Sequence, residues 1–244
     1  VTATIPESKD AFGAAMYARW KGDDDARLVI ERDDGLVDLD SIDYLAPFRR
    51  WGIHERRALR HVRGRVLDVG CGAGRVALHL EPHGHDVVSI DVSPGAIRTA
   101  RQRGASDVRG LAASKVRRAD GPFDSVVMFG NNAGLLRDAR HAPWLLRRFA
   151  GLTGDDGVVL ASTLDPYDTT DPAHRAYHRR NRARGRMGGQ IRIRARYRRL
   201  ATPWFDYLFT SVRELERLVA GTGWVLDEVI RGSSFEYAFV LRKP

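Results

Sequence analysis

Apolar residues along this chain fall into short unbroken runs separated by segments of helical period. Residues 65–69 (RVLDV), 86–90 (DVVSI), 123–129 (FDSVVMF) and 157–163 (GVVLAST) have the length and β-branched content of strands buried on both faces. Between them, residues 75–80, 96–103 and 143–152 space their apolar positions as helices do, and a weaker strand is expected at 107–111. Ser93 followed by Pro94 marks a helix start, with a capping hydroxyl and a proline at the first helical position. Alternation of strand and helix predicts a parallel sheet covered on both faces. Farther on, Ser211 and Glu214 have capping-box spacing for a helix that stops at Gly221, and strands at 224–230 and 235–241 flank a Gly-Ser-Ser turn as an antiparallel hairpin. Ahead of the first sheet strand, about 60 residues form an extension with a helix at 12–20, an acidic turn at 22–25 and a second helix over 46–61.

Composition narrows the class. At 244 residues and 43% hydrophobic content, the chain is expected to bury one sizeable α/β core. No run reaches the ~18 apolar residues of a membrane span, and the first ten residues (VTATIPESKD) lack the basic and apolar parts of an export signal, so a soluble cytoplasmic protein is expected. The single Cys71 excludes an internal disulfide and a cysteine-based zinc site, and no metal is expected. The net charge of +9 is local. Residues 175–199 hold 11 arginines, no Asp or Glu lies between Asp171 and Asp206, and subtracting 11 from +9 leaves about −2 elsewhere. Within that segment, residues 191–198 (IRIRARYR) alternate with period two, which predicts a strand with one apolar and one arginine face.

The chemistry is concentrated at Asp68-Val69-Gly70-Cys71-Gly72-Ala73-Gly74, which follows a strand and opens a helix. Such a turn brings backbone N–H groups and the positive end of a helix toward a ligand. The dinucleotide fingerprint G-x-G-x-x-G would need glycine where Arg75 stands, and no G-x-x-x-x-G-K-[ST] phosphate loop occurs. Asp91 closes the next strand, where an acidic side chain beside a glycine-rich crevice suits a diol.

These residues, in the order D-x-G-x-G-x-G and then Asp91, resemble the class I S-adenosylmethionine-dependent methyltransferases over residues 66–163. The resemblance implies a Rossmann-like α/β fold: a seven-stranded mixed sheet with helices on both faces, an antiparallel C-terminal hairpin and an N-terminal helical lid. It divides one domain into a lid (1–62), a cofactor-binding core (63–163), a substrate-recognition insertion (164–210) and a C-terminal helix and hairpin (211–244). It places Asp68, Gly70, Cys71, Gly72 and Gly74 around the methionine part of S-adenosylmethionine, Asp91 on the ribose, and Val92 and Ser93 beside the adenine. Gly130 and Asn131, in Phe129-Gly130-Asn131-Asn132-Ala133-Gly134, and Tyr17 on the first helix join the cofactor contacts, and S-adenosylhomocysteine is the implied product. The acidic residue that many members carry after the third strand is absent from residues 109–113.

The acceptor is narrowed by absences. No [DNS]-P-P-[YF] motif, no cysteine and no glutamate pair follows the fourth strand, so base amino groups, cytosine C5 and protein arginine lose their usual catalytic parts. The expected reaction is methylation of O, N or C of a small metabolite, anionic if the arginine face binds it, in bacterial specialised metabolism. The alternatives are an RNA methyltransferase that uses residues 175–199, with nucleic acid the less favoured partner, and a non-catalytic S-adenosylmethionine-binding regulator. The arginine face also suits acidic residues of a second subunit, hence a homodimer. Candidate bases are His178 and His141, with Asp165 behind them; Tyr177, Asn132, Trp204 and Tyr207 are candidate acceptor contacts.

Overall fold

A computed structural model describes residues 4–40 and 43–244; the first three residues of the N-terminal segment, and 41 and 42 within the expected lid, lie outside the described residues. In chain order the elements are α1 (Ala11–Trp20), β1 (Leu28–Arg32), β2 (Val37–Asp40), α2 (Ile53–Ala58), β3 (Val66–Val69), α3 (Arg75–Leu80), β4 (Val87–Asp91), α4 (Pro94–Gln102), β5 (Asp107–Gly110), β6 (Phe123–Met128) and α5 (His141–Leu152). They continue with β7 (Thr153–Leu164), α6 (Pro172–Ala183), β8 (Gln190–Tyr197), β9 (Leu200–Ala201), β10 (Phe205–Leu208), α7 (Val212–Val219), β11 (Val225–Arg231) and β12 (Glu236–Arg242). None of the described helices is long and apolar enough to cross a membrane.

The main sheet has seven strands in the order β11-β12-β7-β6-β3-β4-β5. Pairing is parallel for β3/β4, β4/β5 and β6/β7, and antiparallel for β7/β12 and β12/β11, which is the mixed sheet and C-terminal hairpin expected from the sequence. The capping box is present: the Ser211 hydroxyl accepts from the Glu214 N–H while the Glu214 carboxylate accepts from the Ser211 N–H.

Two features of the extension differ from expectation. The helix expected over 46–61 is broken into a 3₁₀ turn at Phe48–Arg50, α2, and a second 3₁₀ turn at Leu59–His61, because Trp51 and Gly52 are both extended (ψ 154° and 142°). A β-carbon on Gly52 would lie 2.4 Å from the His54 ring, which would have to shift to admit it. The extension also forms strands, β1 and β2, whose partner is the arginine strand: β1 pairs antiparallel with both β2 and β8. In β8 the apolar Ile193, Ala195 and Tyr197 are buried and Arg192 and Arg196 are exposed, as the period-two pattern requires.

The chain resolves into two compact units. The first comprises Val1–Trp51, Arg63–Arg117 and Ile193–Phe205. Ala11, Ala15 and Met16 of α1, Leu28 of β1, Ala96 of α4, and Ala195 and Tyr197 of β8 form a core in it. The second comprises Gly52–Val62, Arg118–Arg192 and Asp206–Pro244, with Phe123, Leu145, Phe149, Tyr237 and Phe239 fully buried.

In the first unit, α1 crosses α4 at two glycines. A β-carbon on Gly95 would fall 2.5 Å from the Gly13 carbonyl carbon, so the backbones touch. Gly95→Ala is therefore expected to destabilise the protein by about 1–3 kcal/mol in urea unfolding. Gly154→Ala, where nothing lies within 4 Å of the added carbon, is expected to leave the midpoint nearly unchanged.

Candidate functional site

In the first unit, β3 and β4 run parallel and end side by side, and the turn after β3 folds over the end of β4: Gly70 and Cys71 N–H both donate to the Ile90 carbonyl, at 2.9 and 3.1 Å. Gly72 (φ 53°) and Gly74 (φ 76°) hold left-handed conformations, and a β-carbon on Gly74 would press on Ala100 at 3.0 Å, so α3 starts close against α4. Above Gly72 the nearest side chain is Met16, at 3.6 Å from a β-carbon built there. The Asp91 carboxylate then joins two loops. One oxygen accepts the Gly72 N–H and the other the Ser93 N–H, each at 2.9 Å. Ser93 is the N-cap of α4, accepting the Ala96 N–H at 3.0 Å.

The electrostatics here are set by acids. Asp68 is 2% exposed, and burial pushes its carboxyl up to about 7, against the pull of Arg75 and with a further push from Asp91. Burial also raises Asp91, partly offset by its bonds from the Ser93 and Gly72 N–H groups. The buried Cys71 thiol is pushed well up by burial and by Asp91 and Asp68, which makes it a small apolar side chain and not a nucleophile. The Tyr17 ring lies 5.9 Å from the Trp20 ring, tilted against it, and 4.3 Å from the Arg98 guanidinium. Met16 is thus the α1 residue next to the glycine turn. Val92 is half-buried, and its carbonyl accepts the Ile5 N–H.

In the second unit, Gly130 and Asn131 follow β6 in left-handed conformations (φ 74° and 63°). Their consecutive N–H groups are taken by the buried Glu55 carboxylate (2.7 Å) and the Ser162 hydroxyl (3.0 Å), and Ser162 donates to the same Glu55 oxygen at 2.8 Å. The Tyr207 hydroxyl donates to the Asn131 carbonyl at 2.7 Å, with its ring lying where a side chain on Gly134 would be. Asn131 and Tyr207 are therefore brought together. Asn132 opens the following 3₁₀ turn and is half-buried. Glu55 and Ser162 carry no local sequence signal, since their roles come from contacts 75 and 31 residues away.

The remaining candidates are dispersed. Trp204, in the first unit, lies under the Arg194 guanidinium at 4.8 Å. Tyr177 is 2% exposed, and its hydroxyl accepts the Arg192 N–H, so it packs α6 onto the start of β8. His178 is also buried and meets the Tyr167 ring edge-on at 5.4 Å. His141 starts α5, half-buried beside Trp144, and burial together with Arg137 lowers its imidazole below the usual range. Asp165 accepts the Tyr167 N–H. Among the described residues no group of three or more His, Cys, Asp or Glu is placed to hold a metal ion.

Comparison with known proteins bears on the family and the fold. The methyltransferase domain profile matches residues 44–229. A ubiquinone biosynthesis O-methyltransferase of Azorhizobium caulinodans is 30% identical over 118 residues, 46% of this chain and 45% of that protein. A magnesium-protoporphyrin O-methyltransferase of Rhodobacter capsulatus is 42% identical over 67 residues, 26% of this chain and 30% of that protein. The chain spans less than half the length of either relative. The crystal structure of a methyltransferase from Bacteroides fragilis in complex with S-adenosyl-L-homocysteine superposes with a TM-score of 0.83 at 26% identity, covering 98% of this chain and 97% of that one. The resemblance drawn from the glycine turn and Asp91 holds, and the chain belongs to the methyltransferase domain family.

Proposed function

We propose that the chain transfers a methyl group from S-adenosylmethionine to an oxygen of a small biosynthetic metabolite. The observation that carries this reading is Asp91, a carboxylate at the end of a parallel strand, bonded to the N–H groups of two loops beside a turn kept open by glycine. The site's donor and acceptor set fits that cofactor. Asp91 supplies two acceptor oxygens for a ribose diol, and Asp68 supplies negative charge for a cationic amino-acid part. Gly72 presents bare backbone beside Met16, and the Val92–Ser93 segment flanks the place proposed for adenine. Bound S-adenosylmethionine supplies a methyl group made electrophilic by its sulfonium.

What the chain must add is alignment, exclusion of water and, for a hydroxyl acceptor, a place for the proton. We assign acceptor contact to Tyr207 and Asn132 and proton acceptance to His141, whose depressed imidazole is neutral at pH 7. His178 and Tyr177 are buried, and Tyr177 spends its hydroxyl on the Arg192 N–H, so we do not assign the proton to them. The names of the two O-methyltransferase relatives favour an oxygen acceptor. The arginine strand gives RNA little support, because Arg194 and Arg196 both pair with Glu31, and Arg186 and Arg192 both pair with Asp206.

Label from methyl-labelled S-adenosylmethionine, incubated with bacterial extract, is expected in the small-molecule fraction and absent with Asp91→Ala; label in RNA would overturn the acceptor class. By calorimetry, Asp91→Ala should weaken S-adenosylhomocysteine binding by roughly 100-fold, the loss of two hydrogen bonds to a charged acceptor.

Asp68 generates a pH prediction. Between about pH 4 and 7 the folded protein keeps a proton that the unfolded chain has lost, so stability falls as pH rises through that window and not further above it. Asp68→Asn should therefore gain in melting temperature relative to wild type between pH 5 and pH 8. S-adenosylmethionine should bind wild type more tightly at pH 8 than at pH 6, with proton release seen as a buffer-dependent binding enthalpy. The variant should show neither effect.

A further inference from the structure

Asp10, at the start of α1, is 3% exposed, yet its carboxylate is engaged mostly away from its own helix. One oxygen accepts the Gly13 N–H at 2.9 Å, which caps α1, and also the Ser93 hydroxyl at 2.7 Å. The other accepts the Gly95 N–H at 2.7 Å, in the first turn of α4. One carboxylate thus satisfies orphan donors at the N-termini of two helices. The glycine contact between α1 and α4 is what brings the two ends close enough. Ser93, gripped by Asp10 through its hydroxyl, is the residue whose N–H holds Asp91. One residue earlier, the Val92 carbonyl accepts the Ile5 N–H, so residues 5–10 clasp the Asp91-Val92-Ser93 turn at two points.

We propose that Asp10 is a positioning residue for cofactor recognition: acting through Ser93, it holds the Asp91 carboxylate in the orientation that meets a vicinal diol. This rests on the reading that Asp91 takes the ribose. Asparagine at position 10 keeps one acceptor but turns an N–H₂ toward a backbone donor, Gly95 N–H or Gly13 N–H, so the clasp opens while the size of the side chain is unchanged. Asp91 then keeps the Gly72 N–H, but the Ser93 N–H that orients its other oxygen is no longer held in place.

The test compares S-adenosylhomocysteine with its 2′,3′-dideoxy counterpart by calorimetry. Wild type is expected to prefer the diol by about 30-fold or more, and Asp10→Asn to reduce that preference to about threefold, each bond to a charged acceptor being of that order. Ser93→Ala, which spares the Asp10 bonds to Gly13 and Gly95, should lower the preference in the same direction. The double variant should go no lower than Asp10→Asn alone. Equal weakening of both ligands by Asp10→Asn, or an unchanged ratio in either variant, would reduce Asp10 to a structural clamp and overturn the proposal. Absence of a diol preference in wild type would instead overturn the ribose reading of Asp91 and this inference with it. Should Asp10→Asn fail to fold, the ratio for Ser93→Ala decides.

Discussion

The Asp91 carboxylate is the constraint on which the rest of the first unit depends. It sits where β4 ends and accepts N–H groups from the turn after β3 and from the turn before α4, so the two loops have a common anchor. Glycine at 72 permits the left-handed backbone that presents its N–H to that anchor. The arrangement has a cost. Burial raises the proton affinity of both Asp68 and Asp91, and each has an acidic neighbour that adds to the rise, Asp91 for Asp68 and Asp10 for Asp91. A folded protein with this much unfavourable negative charge at one place gains when a cation arrives, and S-adenosylmethionine is a cation while its demethylated product has lost the sulfonium charge. On the proposed assignment of Asp68 and Asp91 to the cofactor, the same carboxylates would favour entry of the methyl donor over retention of the product.

The arginine-rich segment shows how misleading a net charge is without a map. Of the arginines in residues 175–199, those on β8 meet carboxylates supplied from elsewhere in the chain. Glu31 on β1 takes Arg194 and Arg196, and its carboxyl is lowered by both. The period-two pattern foretold the arginine face, but its partner strand lies 160 residues upstream, in an extension read from the sequence as helical. A strand whose charges are met by carboxylates on other elements is a structural element before it is a binding surface. Arg194 also covers Trp204, so part of its value is packing.

Strands β3, β4, β6 and β7, and the hairpin β11–β12, were legible because each is a local run with its own terminating turn. Strands β1 and β2 were not, because LVIER and VDLD mix charge and apolar residues without clean alternation and are stabilised by pairing with β8 and with each other. The glycine turn and Asp91 were legible for the same local reason. Asp10, Met16, Glu55 and Ser162 were not, since each matters through a contact tens of residues away. The burial of Tyr177 and His178 was not legible either: they lie in a basic segment, but with Asn181 they are the buried residues of α6.

The second unit extends this contrast between local and distant determinants. Its turn at Gly130–Asn131 is held by Glu55, Ser162 and Tyr207, residues spread over more than 150 positions, and every link is a hydrogen bond of 3.0 Å or less. A left-handed pair of residues with consecutive N–H groups is a natural anion cradle, and here Glu55 fills it from within. That occupancy fixes the turn but removes those N–H groups from the list of donors available to a ligand. The side chains left at this turn are Asn132 and the ring of Tyr207, whose hydroxyl is already committed to Asn131, and these are the acceptor contacts proposed above. A cofactor-binding loop built from backbone atoms can be read from spacing alone, whereas acceptor specificity built from side chains anchored at long range cannot.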